Sequence, residues 1–168
     1  MRRFSKLGVI ALMSIFLAGC SKEEVPTMVR SDNQGLYINL MLSDANGNDL
    51  LNPDNVNAVN FRDIKVSFAN STALVSGPYV SDSNGVEVPH LYQAKTDGPY
   101  SIQLGTWDVS SKSFKDTVFI DWGDGSSDVF YFHYSYNAIH RYKTECTSPN
   151  PSFTVSGTPV RRFVGFIR

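Results

Sequence analysis

Residues 117–136 read TVFIDWGDGSSDVFYFHYSY, which is two runs of β-favouring side chains separated by a glycine-rich turn. Aromatic and β-branched residues dominate both runs, and such residues favour the extended backbone of a strand. Gly123 and Gly125 tolerate the positive φ angles of a tight turn, and Asp124 between them can hydrogen-bond its own backbone. The stretch therefore predicts two strands joined by a short turn.

The same alternation of short β-favouring runs and turn residues fills the rest of the chain. Further runs occupy 36–42, 63–68, 86–93, 100–107, 153–155 and 160–167, with turn residues at 46–47, 84–85, 98–99 and 157–159. In the run 63–68, strict alternation places Ile64, Val66 and Phe68 on one face. No window of a dozen residues has an apolar stripe of helical period. This spacing predicts an all-β fold, an antiparallel β-sandwich that occupies 36–168 as a single domain.

The strand and turn at 117–125, which end in aromatic-Gly-Asp-Gly, resemble the corresponding strand and turn of polycystic-kidney-disease-type domains. Those domains are immunoglobulin-like sandwiches, so the resemblance implies an immunoglobulin-like arrangement of the two sheets. It covers only this strand and its turn, and it transfers no binding residues.

The N-terminus has the layout of a secretory signal. Residues 1–6 carry three cations and no anion, and a run of twelve mostly apolar residues follows at 7–18. Twelve residues of helix rise only about 18 Å, too little to cross a hydrocarbon core of about 30 Å. A transmembrane anchor is therefore disfavoured, and the pattern predicts a cleaved signal peptide over 1–19.

The end of that segment, Leu17-Ala18-Gly19-Cys20, resembles the lipobox of bacterial lipoproteins. The resemblance implies cleavage before Cys20, a diacylglycerol on its thiol and an acyl chain on its new amine. Several acyl chains hold a protein at a membrane far more firmly than one. Cys20 is accordingly the predicted lipidation site, and the membrane is the predicted partner.

The next residues, Ser21-Lys22-Glu23-Glu24, resemble the signal that directs Bacteroidota-type lipoproteins to the cell surface. The resemblance implies a lipid-anchored protein of the outer membrane that faces outward. An ordinary acidic linker, with the protein on the periplasmic face, remains the alternative. Residues 20–35 are polar and predict a flexible tether, spanning about 20 Å as a coil and about 50 Å when stretched.

Composition and charge exclude several classes of protein. With 42% hydrophobic and 18% charged residues, the chain is too apolar for a disordered protein. Loss of Arg2, Arg3 and Lys6 with the signal peptide takes the net charge from −1 to −4. Because no basic block remains, we expect no nucleic-acid partner.

The residues that usually carry chemistry show no catalytic pattern. His90, His133 and His140 are not spaced as zinc ligands, and no nucleophile motif is present. With Cys20 lipidated, Cys146 has no partner for an internal disulfide, and an idle or buried thiol is favoured over a reactive one. We therefore expect that the protein is not an enzyme and that it has no catalytic residue, bound metal or cofactor. Paired carboxylates of a hydrolase remain open, because their spacing is spatial.

Two groups of oxygen-bearing side chains raise the question of calcium, which takes six to eight oxygen ligands. They are Asp121, Asp124 and Asp128 in one segment, and Asp44, Asn46 and Asn48 in another. The second group begins like an EF-hand loop, but Asp49 stands where that loop requires glycine and Asn55 where it requires glutamate. A structural turn is the favoured interpretation of both groups.

The aromatic run 129–136 has two interpretations. Alternation places Phe130, Phe132, Tyr134 and Tyr136 on one face, and Tyr131 with His133 on the other. The favoured interpretation is a strand whose rings fill the core. The alternative is an exposed platform, shared with Trp107, Trp122 and Tyr92, on which a sugar ring stacks.

Export, tether and aromatic strands together predict a surface lipoprotein that binds rather than catalyses. The leading hypothesis is a non-catalytic accessory module that binds a polysaccharide, or an adhesin. The alternative is a structural or interaction subunit of an outer-membrane complex, and a hydrolase is the least favoured possibility.

Overall fold

The strands of this protein are seen in a computed structural model, which describes residues 35–70, 73–93, 95–109, 113–137 and 141–168. The predicted signal peptide, Cys20, nearly all of the tether and His140 lie outside the described residues. In chain order the strands are β1 Leu36–Ser43, β2 Lys65–Phe68, β3 Leu74–Ser76, β4 Tyr79–Ser81, β5 Glu87–Pro89, β6 Leu91–Gln93, β7 Tyr100–Trp107, β8 Ser113–Asp121, β9 Ser127–Asn137, β10 Arg141–Thr147, β11 Thr154–Thr158 and β12 Arg161–Ile167. A single 3-10 turn, Phe61–Asp63, precedes β2.

The strands form two main sheets and a small hairpin. The first sheet has the order β11-β12-β1-β7, and both β3 and β6 pair with β7. The second sheet is a regular antiparallel array in the order β10-β9-β8-β2. Strands β4 and β5 pair only with each other. No helix in the described ranges is long and apolar enough to span a bilayer.

A hydrophobic core lies between the two main sheets. Strand β1 contributes four buried side chains at alternate positions, which are Leu36, Ile38, Leu40 and Leu42. In the core, the Trp107 ring packs edge-on against Phe132 of the other sheet, with ring centroids 5.0 Å apart. Two sheets that share one core are a sandwich, so the predicted all-β sandwich is confirmed.

The turn after β8 forms as the sequence predicts. Gly123 and Gly125 both have positive φ angles, 78° and 89°. A Cβ atom at Gly123 would also come within 2.6 Å of the Asp63 Cβ, so the glycine lets the turn pack against the 3-10 segment. The backbone conformation and this close approach both require glycine here.

One pair of strands departs from the antiparallel pattern. Strands β1 and β12, near the two ends of the described chain, lie side by side and run parallel. Parallel neighbours need a long connection, and here the rest of the domain supplies it. The sequence does not predict this pair, because no local turn links the two strands.

Three strands were missed, and one predicted run is divided. Residues 86–93 form β5 and β6, which pair with different partners on either side of His90. Strands β3 and β4 are only three residues each, too short to show a period. Strand β10 carries the inward residues Tyr142, Thr144 and Cys146, a pattern too polar to stand out.

Candidate functional site

The outer face of the second sheet presents two aromatic rings to solvent. Alternation along β8 buries Val118 and Ile120, so Phe119 between them points outward. Along β9 the same rule buries Phe130 and Phe132 and turns Tyr131 outward. Phe119 and Tyr131 each keep 47% of their surface exposed. We call the outward residues Phe119, Val129 and Tyr131 the aromatic face.

The register of the two strands brings these rings close together. Tyr131 pairs with Thr117, and Val129 pairs with Phe119, so Phe119 and Tyr131 are diagonal neighbours. Diagonal neighbours in a sheet lie about 7–8 Å apart, which is within reach of aromatic side chains. The rings thus form one patch on the sheet.

Two depressions lie along the aromatic face. One, of about 910 Å³, is lined by Phe119 and Val129, and the other, of about 710 Å³, is lined by Tyr131 and His133. Polar side chains border each depression. Lys65 and Ser67 of β2 line the first, and the second is lined by Lys115 of β8, His133 of β9, and Glu145 and Thr147 of β10. The face therefore combines apolar rings with hydrogen-bonding groups at their edges.

Beyond Tyr131, three polar side chains line up across β8, β9 and β10. The Ser113 Oγ lies 3.0 Å from the His133 Nε2, and the His133 Nδ1 lies 4.0 Å from the Glu145 Oε2. The Ser113 hydroxyl also donates to the backbone oxygen of Tyr134, so its proton is not directed at His133. The 4.0 Å gap is too long for a hydrogen bond that orients the imidazole. The row holds His133 in place but lacks the geometry of an activated serine.

Glu145 is the acidic member of that row. The Lys143 ammonium, 2.5 Å away, lowers the pKa of the Glu145 carboxyl by hydrogen bonding and by its charge, and His133 adds to the effect. Glu145 is consequently ionised at neutral pH and can accept hydrogen bonds from hydroxyl groups.

Glu145 and Asp121, two exposed carboxylates of this face, are too far apart for a glycosidase pair. Glu145 and Lys115 both pair with His133, and Lys115 precedes Asp121 by six residues on β8. At about 3.4 Å per residue, Glu145 and Asp121 are roughly 20 Å apart. Hydrolytic pairs lie about 5–10 Å apart.

Asp121, Asp124 and Asp128, the first group considered as calcium ligands, make hydrogen bonds in and beside the turn after β8. The Asp121 carboxylate accepts from the Gly123 N–H, and the Asp124 carboxylate accepts from the Ser126 N–H. Asp128 accepts from the Trp122 indole at 2.8 Å and from the Asn150 amide at 2.7 Å. These bonds support the structural interpretation of the segment.

The second group makes a similar turn. The Asp44 Oδ1 accepts from the Asn46 and Asn48 N–H groups, and its Oδ2 accepts from the Asn48 side chain. The two hydrogen bonds from Asn48 are the largest causes of a lowered pKa at Asp44; desolvation opposes them, and the bonds from Asn46 add to the lowering. Within the described ranges, no three His, Cys, Asp or Glu side chains converge to hold a metal ion.

Cys146 points inward from β10 as a free thiol. Burial raises its pKa from 9.0 to about 11, although the nearby Arg162 opposes the shift. A thiol with that pKa stays protonated at neutral pH and is a poor nucleophile. The interpretation of Cys146 as a buried thiol is supported.

Most of the aromatic residues fill the core. Phe130, Phe132 and Tyr134 are buried, and Tyr136 packs against them. Trp107 and Trp122 are buried as well, so the idea that they join an exposed platform is wrong. Their rings occupy inward positions or the base of a turn, where burial stabilises the sandwich.

Phe119 was not singled out from the sequence, although a signal was present. Val118 and Ile120 are apolar on both sides of it, and strand alternation places an intervening ring on the opposite face. Comparison of the chain with protein-family models, with curated proteins and with solved structures finds no match.

Proposed function

We propose that this protein is a lipid-anchored surface module that binds a polysaccharide on its aromatic face and does not catalyse. The observation that carries the proposal is the exposure of Phe119 and Tyr131 side by side on one sheet. Two large aromatic rings exposed to water lower the solubility of a protein. A ligand that covers these rings accounts for their exposure.

The chemistry around the rings favours a sugar over an apolar partner. A pyranose ring has an apolar face of C–H groups and an edge of hydroxyls. The negative face of an aromatic ring attracts the weakly positive C–H groups, and polar side chains at its edge satisfy the hydroxyls. Beside Tyr131, the polar side chains available to bind sugar hydroxyls are Lys115, His133 and Glu145. An apolar protein interface would instead exclude charges from the centre of the patch.

The predicted lipid anchor would hold the polysaccharide-binding domain at the membrane. Lipidation of Cys20, implied by the lipobox resemblance, would hold the domain at the outer membrane through a tether of 20–35. Many copies on one cell would engage a repeating polysaccharide together, so a weak single site becomes a firm attachment. An accessory or adhesin role follows from that arrangement.

The test uses the lipidated chain in detergent micelles on an array of polysaccharides, followed by calorimetry on those that bind. Phe119→Ala and Tyr131→Ala each remove a stacking ring worth about 1 kcal/mol, so each should weaken binding about fivefold or more. Val155→Ala is the matched control, because Val155 is an exposed apolar residue of β11 in the other sheet.

The variants should keep their melting temperatures, since both rings are half exposed. A failure of every polysaccharide to bind would contradict the proposal. Equal binding by Phe119→Ala and the unmodified chain would move any site away from the aromatic face.

A second candidate function, a subunit of an outer-membrane complex, has one observation in its favour. Strand β11 lies at the edge of the first sheet and is exposed at all five positions. An exposed edge can accept a strand from a partner through backbone hydrogen bonds. Mild crosslinking should then link residues of β11 to a membrane protein, and a clean single-chain product would oppose this role.

A further inference from the structure

The outer face of the first sheet carries a cation between two tyrosine rings. The guanidinium carbon of Arg161 lies 5.7 Å from the ring centre of Tyr37 and 6.0 Å from that of Tyr92. Tyr37 is the direct β1 partner of Arg161, whereas Tyr92 lies on β6, beyond β7. The Arg161 side chain therefore reaches across the sheet. We call Arg161, Tyr37 and Tyr92 the arginine face.

The charge of Arg161 has no counterpart in the part of the chain that the structure describes. Arg62 pairs with Asp82, and Arg168 pairs with Asp124. Arg161 makes no such pair there, and its backbone N–H donates to the Thr158 hydroxyl. Its five guanidinium N–H donors are thus left for solvent or a ligand.

Polar side chains lie on the neighbouring strands β1 and β7. Asn39 on β1 faces outward yet is only 2% exposed, and its Nδ2 makes a long 3.4 Å bond to the Arg162 oxygen. Gln103 is its partner on β7. Gln103 is half-buried, and its amide offers both a donor and an acceptor, which a hydroxyl-rich ligand can use.

The same face has room for the body of a ligand. Phe163 is the next outward residue after Arg161 on β12, and it lines a groove of about 460 Å³. Met41 and Pro99 add apolar surface to this groove, and Lys95 and Asp97 lie at its wall. Phe163 follows Arg161 by two residues on β12, so the groove adjoins the arginine face, although neither Arg161 nor the two tyrosines line it.

We propose that the arginine face binds the carboxylate of an acidic sugar, a uronic acid. The guanidinium donates two parallel N–H bonds to the two carboxylate oxygens, a geometry that lysine cannot reproduce. The tyrosine rings offer surfaces for the pyranose ring, and their hydroxyls reach its edge. The site is separate from the aromatic face, so it does not depend on the function proposed above.

The experiment measures binding of trigalacturonate and of neutral trigalactose to the lipidated chain in detergent, by calorimetry. The expected result is binding of the acidic trimer, weaker at higher salt, and at least tenfold weaker binding of the neutral one. Arg161→Gln should weaken trigalacturonate binding by about tenfold or more, because a charge-assisted bond is lost. Arg62→Gln, which removes a paired exposed arginine, is the matched control and should change little.

Three results would overturn the inference. They are equal affinity for the acidic and neutral trimers, no effect of Arg161→Gln in a variant with an unchanged melting temperature, and competition by inorganic sulfate as effective as that by galacturonate. Phe119→Ala separates the two proposals. Loss of trigalacturonate binding in Phe119→Ala but not in Arg161→Gln would support the aromatic face and overturn the arginine face. The opposite pattern would support the arginine face alone.

Discussion

Asp128 ties the turn after β8 to the rest of the domain, so Asp128→Ala should destabilise the protein substantially. The carboxylate is 12% exposed and accepts hydrogen bonds from the Trp122 indole and the Asn150 amide. Trp122 itself is 1% exposed, so its indole N–H has little access to water as a replacement acceptor. An orphaned buried N–H costs about 1–3 kcal/mol, and a lost second bond adds about 1 kcal/mol. The expected loss is about 2–4 kcal/mol.

The assay is urea unfolding followed by tryptophan fluorescence, with Asp124→Ala as the control. Asp124 belongs to the same turn and pairs with Arg168, but it is exposed, so its loss should cost about 1 kcal/mol or less. Trp122→Phe combined with Asp128→Ala tests the pairing, since the two losses should not add. A change below about 0.5 kcal/mol for Asp128→Ala would refute the account, because such a value is typical of surface substitutions.

Three further predictions concern Cys146, Asp82 and Cys20. Because burial holds the Cys146 pKa at about 11, the thiol should react with an alkylating reagent far more slowly than a free cysteine at pH 8, and stability should fall as pH rises from 9.0 to about 11. Equal labelling of native and unfolded protein would contradict this. The hydrogen bond from Arg62 lowers the pKa of Asp82, so the pair stabilises the fold above pH 3.8 and is lost as the pH falls below that value. Arg62→Gln should flatten this acid limb of the stability curve, and an unchanged limb would oppose the pairing. Mass spectrometry of the native protein should find residues 1–19 removed and acyl chains on Cys20, whereas Cys20→Ser should leave the precursor uncleaved; an unmodified thiol at that position would rule out the anchor.

The sequence predicted only one of the two exposed rings of the aromatic face. Alternation predicted Tyr131 outside and Phe130 inside, and the same rule applied to the neighbouring strand would have added Phe119. What alternation could not provide was the register of the two strands, because a two-residue slip of β8 against β9 preserves the pattern of burial and changes the spacing between Phe119 and Tyr131.

Local patterns in the sequence determined the class of fold, the turn at Gly123 and Gly125, and the inward side chains of the long strands. These features depend on neighbouring residues, whose backbone preferences and alternation can be read directly. The tertiary structure decided the parallel pairing of β1 with β12 and the meeting of Arg161 with Tyr92. Both contacts join residues far apart in the chain, and their geometry comes from the packing of two sheets around one core rather than from any local signal.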